Sequence, residues 1–471
     1  MASVSRRRYL GGAAVALSGL LAAACEVFGG TEDTAAPATT EAPVPPAPRR
    51  RASAVPGGSA AASQAKQPVT VVVRYAPVWS YQNTPEEELT KRFTEEHPHI
   101  EVQWEPWVVA QGIEGVRAVA AAGELPDVVQ LWTNAQSEPV FQGKLAPLDR
   151  FIKVDRYDLG DFWPGCLEIS TWRGELFGLH TEVNTNVIWY NQDLFQDAGV
   201  GAPVGTWQWP DLLASAQQLT SGQGAQATYG FALDMTSSFS VTIPWIWANG
   251  GDLFDQRGAR SLVDQSQTQE ALRWLVELRH THAVWPTEEQ LKEVVANERV
   301  SSLFEFGRLA MLYTSLGSKQ RLLVEAPQLR YAIGEPPQGP ARPANWLNTF
   351  LPFHLGSASA VGDDAWTFLR WWTGSDAQRA FHTELAILGR GLSFPGTDVP
   401  ARKSLAEELK DWFSAATVAA LAHAQTLPPH PKLFELLETY EQGFAPLWRG
   451  EQSVSEATAA VAQQHNAILA S

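Results

Sequence analysis

Tryptophan is the residue type that stands out here: 19 occur in 471 residues that hold only three Met. An indole presents a broad flat face that stacks on the apolar faces of sugar rings, and it serves equally well as core filler. Trp79, Trp132, Trp245, Trp247 and Trp346 fall at the ends of expected strands or in loops beyond them. In open α/β sheets that is where a ligand crevice lies. Thr133, Asn134, Glu182, Asn184, Thr185 and Asn186 add hydrogen-bonding groups in matching places, and Tyr81 and Tyr313 complete the candidate set. Aromatic faces beside Asn, Glu and Thr suit a polyhydroxylated small molecule. The competing reading makes these Trp core residues. Trp366, Trp371 and Trp372 share one expected helix, and Trp207 and Trp209 flank a helix start, so these five read as structural.

Other chemistries find little support. The sequence has no P-loop, no HExxH helix and no GxSxG elbow. His97-Pro98-His99 and His280-Thr281-His282 have i, i+2 spacing. That spacing puts the rings on opposite sides of a strand and far apart on a helix, so no metal or cofactor is expected. Carboxylates are numerous, and a glycosidase needs only two well placed, but nothing singles out a pair. A formal net charge of −16 argues against nucleic acid, whose phosphates call for a basic footprint. Cys25 and Cys166 are the only cysteines, which excludes a Cys-based zinc site.

The elements that would position the candidates begin after a leader and a tether. Ser5-Arg6-Arg7-Arg8-Tyr9-Leu10 resembles the twin-arginine export pattern, and Leu20-Leu21-Ala22-Ala23-Ala24-Cys25 resembles a bacterial lipobox. Residues 1–24 are thus expected to be a signal peptide, with Cys25 lipidated. Residues 25–67, rich in Pro and Ala, read as a disordered tether; fully extended it would reach about 140 Å. Beyond it, Val69–Val73, Ile100–Trp104 and Pro126–Leu131 read as strands. A helix capped at Thr84 and another over 112–122 would separate them. Strand, helix, strand, helix, strand is the pattern of a parallel sheet with helices on its faces. The stretch from Gly174 to Pro210 organises the rest: Val183–Tyr190 reads as a strand that leaves one compact unit and starts another. Thr206 would cap the helix after it, and Ser266 with Gln269 would cap a later one.

Several spaced blocks carry a resemblance. Gly174-x-Leu176-x-Gly178-Leu179 precedes a polar strand ending Tyr190-Asn191-x-Asp193-Leu194-Phe195. Pro126-Asp127-Val128-Val129 and Asn249-Gly250-Gly251 follow the same pattern, as does Phe304-x-x-Gly307-x-x-Ala310-Met311. Together they resemble family 1 extracellular solute-binding proteins, the receptors of ABC importers, among them the maltose-binding-protein-like sugar receptors. Where that family has Pro after Gly-Leu this chain has His180, and Gly317-Ser318-Lys319 lacks a Trp that usually follows the Ala-Met block. The resemblance implies a two-lobe periplasmic-binding-protein-like α/β fold, each lobe a mostly parallel sheet flanked by helices. Hinge crossings are expected near 183–186, 312–317 and 346–350. One lobe would comprise 68–183 and 317–346, the other 184–316 and 347–471. The implied protein is a monomeric, lipid-anchored receptor at the outer face of the cytoplasmic membrane or in the periplasm. It would bind a carbohydrate in the interlobe cleft, dock on permease subunits of an ABC transporter, and not be an enzyme. A secreted carbohydrate-active enzyme and a surface sensor or adhesion protein remain the alternatives.

Overall fold

The computed structural model describes residues 67–75, 85–106, 123, 125–131, 143–255, 257–295, 299–348, 352–383 and 398–471, all within the compact unit Ala65–Ser471. Cys25, Trp79, Tyr81, Trp132, Asn134, the leader and the 112–122 segment lie outside the described residues.

In β1 (Val69–Tyr75), Val71, Val73 and Tyr75 are buried while Thr70 is exposed, so the apolar run is covered mainly on one face. The helix Pro85–Glu96 follows. Proline suits its first position, the acids Glu86, Glu87 and Glu88 meet the positive end of the helix dipole, and Leu89 and Phe93 enter the core. The chain returns as β2 (Ile100–Pro106), parallel to β1 in unbroken register from Val69–Ile100 to Tyr75–Pro106. β3 (Val128–Gln130) lies parallel to β1 on its other edge. β4 (Leu145–Ala146) comes next in the chain. β5 (Thr171–Trp172) and β6 (Glu175–Leu176) form a hairpin whose turn, Arg173-Gly174, holds both residues at positive φ, as a two-residue hairpin turn of matching twist requires. β7 (Gly178–Leu179) leads into β8 (Glu182–Asn191), buried from Val183 to Asn191.

The second sheet is built on β8. β10 (Met311–Ser315) pairs with it antiparallel, and β9 (Ala232–Leu233) lies parallel to β10. β11 (Tyr331–Gly334), β12 (Asn345–Asn348) and β14 (Val399–Pro400) also pair antiparallel with β8, and β15 (Ala424–Gln425) lies parallel to β12. β13 (Phe353–Gly356) goes back to the first sheet, antiparallel between β3 and β4, and also pairs with β7.

These pairings redraw two expectations. Both sheets are mixed, because β13 and β8 are each flanked by antiparallel neighbours. The division of the chain also differs at its later segments. β11, expected in the first lobe, belongs to the second sheet, whereas β13, expected in the second lobe, belongs to the first. The helix Gly362–Trp372 follows β13: Phe368 packs on Phe93, and Trp372 on Trp104. Two caps move as well. The helix Trp209–Leu219 starts after Gln208, whose N–H donates to Asp211 Oδ2 at 2.8 Å, not at Thr206. The helix Ser266–His280 begins at Ser266 itself, after Gln265, without a side-chain cap.

Candidate functional site

The three stretches expected as crossings meet at one point on β8, but β10 and β11, on either side of 312–317, both lie in the second sheet, with no strand of the first sheet between them. Leu347 and Asn348 pair with Thr185 and Asn184. Ser315 pairs with Asn186, and the Leu316 N–H donates to Thr185 O at 2.9 Å. Residues 349–350 lie outside the described residues.

Uncharged side chains tie this point together. Asn345 Nδ2 donates to Thr185 Oγ1 and to Asn186 O, both at 2.7 Å. Its Oδ1 accepts from Tyr313 Oη at 2.8 Å and from the Trp346 N–H at 2.9 Å. Thr185 Oγ1 in turn donates to Trp346 O at 2.8 Å. All of these residues are buried, and the bonds satisfy polar groups that would otherwise carry a desolvation penalty. Burial pushes the Tyr313 phenol up, which keeps it neutral. Asn184 accepts from Ser315 Oγ at 3.0 Å and donates to Asp398 Oδ1 at 2.7 Å. Asn186 Nδ2 donates to Ser240 O at 2.7 Å. The hydrogen-bonding groups read from the sequence at 184 and 186 thus come together, largely engaged with the protein itself.

Charge enters at the half-buried edge, through Glu182, Lys319 and Asp398; Phe239, Ser240, Ser315 and Gly317 are half-buried too. Burial pushes the Lys319 ammonium down. A Cβ at Gly317 would come within 3.3 Å of Asn184 Nδ2, so a side chain there would press on the junction. Sequence reasoning passed over Phe239, Ser240, Ser315 and Lys319. The two last follow directly on the Ala310-Met311 block and could have been read from it; Asp398 reaches Asn184 only through the long-range return of the chain.

The aromatic candidates separate. Trp346 lies parallel to Trp247, ring centroids 5.6 Å apart and planes 7° apart, and Phe239 meets Trp346 edge-on at 5.6 Å. Trp247 Nε1 donates to Asp252 Oδ1 at 3.1 Å. Trp245 packs against Trp274 at 5.2 Å, Trp209 at 5.4 Å and Tyr313 at 5.7 Å. With 3% of its surface exposed it has no open face, and Trp247 has 2%. Both belong to the helix Ser238–Ala248, where the sequence reading set them in loops or at strand ends.

Three buried histidines lie on the first-sheet side. His180, just before β8, shares a hydrogen bond of 3.0 Å with Ser170 Oγ. His354 Nδ1 lies 2.9 Å from Phe177 O. His382 ends the helix Ser375–His382. Burial pushes their pKa values down, to about 3 for His180 and about 4 for the other two. They are neutral near pH 7 and poorly suited to proton transfer there. Of the spaced pairs, His99 Nε2 lies 3.4 Å from Asp364, and His280 Nε2 lies 3.2 Å from Trp448 O. Cys166 is buried, which pushes its thiol up.

Residues 88–420 match the family of bacterial extracellular solute-binding proteins, and the chain belongs to that family. A binding protein of Brucella abortus (strain 2308) is 27% identical over 258 residues, 54% of this chain. The match spans 60% of that relative's length. Among solved structures, an ABC substrate-binding protein from Listeria monocytogenes in complex with cycloalternan is similar at a TM-score of 0.67. It has 18% identity, over 86% of this chain and 100% of that one. A sugar transporter from Rhizobium etli in an open conformation has a TM-score of 0.68 and 20% identity, over 85% of this chain and 99% of that one. At such identities the likeness establishes the fold, which is the two-lobe fold of periplasmic binding proteins.

Proposed function

We propose that the protein captures a sugar or oligosaccharide between its lobes and delivers it to an ABC importer. The observation that carries this is the junction on β8. Three passes of chain meet there through uncharged Asn, Thr, Ser and Tyr groups, beside the Phe239–Trp346–Trp247 aromatic row. At its edge the half-buried Phe239 ring and the half-buried Ser240 and Ser315 put an apolar face beside uncharged hydrogen-bonding groups, the pairing that suits a pyranose. The ligand cycloalternan in the Listeria relative is in keeping with this. Ligand contacts would come from Phe239, Glu182 and Lys319 at the half-buried edge, with Trp346 buried behind Phe239. Trp79, Tyr81, Trp132 and Asn134 remain part of the proposed ligand set on the strength of the sequence alone. Cys25, once lipidated, would hold the receptor at the outer face of the membrane, where the permease subunits are reached.

Titration of a mono- and oligosaccharide panel, read by intrinsic fluorescence, tests the ligand class. Phe239→Ala is expected to weaken sugar binding by about 1–3 kcal/mol, with a smaller effect on stability. Trp245→Ala, in the core, is expected to lose about 3–5 kcal/mol of folding free energy instead. No response to any sugar would refute the assignment. Conversion of the sugar by purified protein would establish an enzyme instead. The anchor has its own test: Cys25→Ala should be released from membranes, and a variant that still sediments with them would refute lipidation.

A further inference from the structure

β9 and β10 run parallel and end at Leu233 and Ser315. Beyond the carboxyl ends of such strands an α/β protein forms its ligand crevice. The half-buried groups that follow these two ends are Asp234, Phe239, Ser240, Ser318 and Lys319. Lys319 belongs to the first turn of the helix Ser318–Glu325, and its N–H donates to Leu316 O at 3.0 Å. It is two residues from Gly317, which abuts Asn184 of the junction.

The polar side chains of this edge hold one another. Ser315 Oγ donates to Asn184 Oδ1 at 3.0 Å, and Ser240 Oγ to Ser237 O at 2.9 Å. Ser318 Oγ lies 3.4 Å from Thr314 Oγ1. Asp234 accepts the Thr236 N–H at 3.3 Å, the Thr236 hydroxyl at 2.7 Å and the Thr314 hydroxyl at 3.3 Å. Asp398 accepts from Asn184 Nδ2 at 2.7 Å. Lys319 is the exception. Among the described residues its ammonium has neither an ion pair nor a hydrogen bond, and burial alone pushes it down. A cation drawn out of water without a partner is costly. Lys432, half-buried as well, donates to Ile468 O and Ser471 Oγ, both at 2.7 Å. Lys319 is also where this chain lacks the Trp that usually follows the Ala310-Met311 block in its family, so a charge stands in place of a flat ring.

We infer that the captured sugar carries a carboxylate, as a uronic acid does, and that Lys319 is the residue that selects it. The inference rests on the sugar reading above and narrows it. The ligand supplies the acceptor that this edge lacks: its carboxylate takes the Lys319 ammonium, while its hydroxyls and apolar ring face meet the half-buried serines and Phe239. One ammonium balances one negative charge, which is that of a uronate. A phosphate ester carries about −1.5 to −2, and Asp234, Asp398 and Glu182 already bring negative charge to this edge.

Calorimetric titration of the purified full chain tests it, with glucuronate- and galacturonate-containing oligosaccharides, their uncharged methyl esters, neutral oligosaccharides and sugar phosphates. A uronate is expected to bind about tenfold or more tightly than its own ester, since the ester loses one charge-assisted contact. The ratio should shrink as salt is added. Lys319→Met should bring the ratio close to one, and Lys319→Arg, which keeps the charge, should preserve most of it. Equal binding of acid and ester, a ratio unchanged in Lys319→Met, or tighter binding of a sugar phosphate than of any uronate would overturn the inference. Binding of neutral sugars alone would overturn it and leave the sugar reading standing; no response to any sugar, charged or neutral, would remove both. Should Lys319→Met fail to fold, the ratio in the unsubstituted protein and its salt dependence decide.

Discussion

The histidines at 180, 354 and 382 make the fold sensitive to acid. Their folded pKa values, about 3 to about 4, lie below the ordinary value of 6.5. Between those limits the unfolded chain binds protons that the folded chain refuses, so stability falls as pH drops from about 6.5 towards 4 and changes little above 7. At about 1.4 kcal/mol per pKa unit the loss is a few kcal/mol for each histidine and on the order of 10 kcal/mol in all. Melting temperature measured against pH should show it, and His354→Gln should flatten the slope. An unchanged slope in the variant would mean that His354 is charged or exposed in the folded protein. Residue type alone showed where histidine replaced the proline of related chains at 180, but not that it would be buried. The same limit applied to tryptophan. Composition revealed the abundance; which rings face a ligand depends on what packs over them, and Trp245 is enclosed by Trp209 and Trp274, residues remote from it in sequence.

Among the elements, β8 and its crossings depend on Asn345. Asn345→Ala would strand the Tyr313 hydroxyl and the Trp346 N–H in the interior and take a donor from Thr185 Oγ1 and from Asn186 O, while the Thr185 hydroxyl keeps its bond to Trp346 O. A loss of about 2–4 kcal/mol in urea unfolding is expected; a loss below about 0.5 kcal/mol would show that water or rearrangement replaces the network. β8 was legible because Val183–Tyr190 alternates and is rich in β-formers, and the Pro85–Glu96 helix because its start signals and the Leu89–Phe93 stripe agree. The helix Ser238–Ala248 was not. Nearly all its residues are buried, so no polar face marks the helical period, and Pro244 argues for a loop. β11 and β13, four residues each, were misassigned between lobes. Which sheet such a short strand joins is fixed by pairing with distant segments, and nothing in Tyr331–Gly334 or Phe353–Gly356 encodes that locally.

At the scale of the whole molecule, the two lobes should close on a ligand that touches both. X-ray scattering is expected to give a smaller radius of gyration with bound sugar than without, and an unchanged radius under saturation would argue for a rigid receptor. The same connectivity bears on biosynthesis. β13 sits in the first sheet between β3 and β4, so that sheet lacks an inner strand until residue 356 has left the ribosome. The second sheet waits longer still, for Ala424 and Gln425. Through most of translation β3 and β4 present open edges, to which other chains can add. Pairings of such sequence separation also form slowly. Nascent chains that stop short of Phe353 should therefore depend on chaperones, and folding should be a late, largely post-translational event.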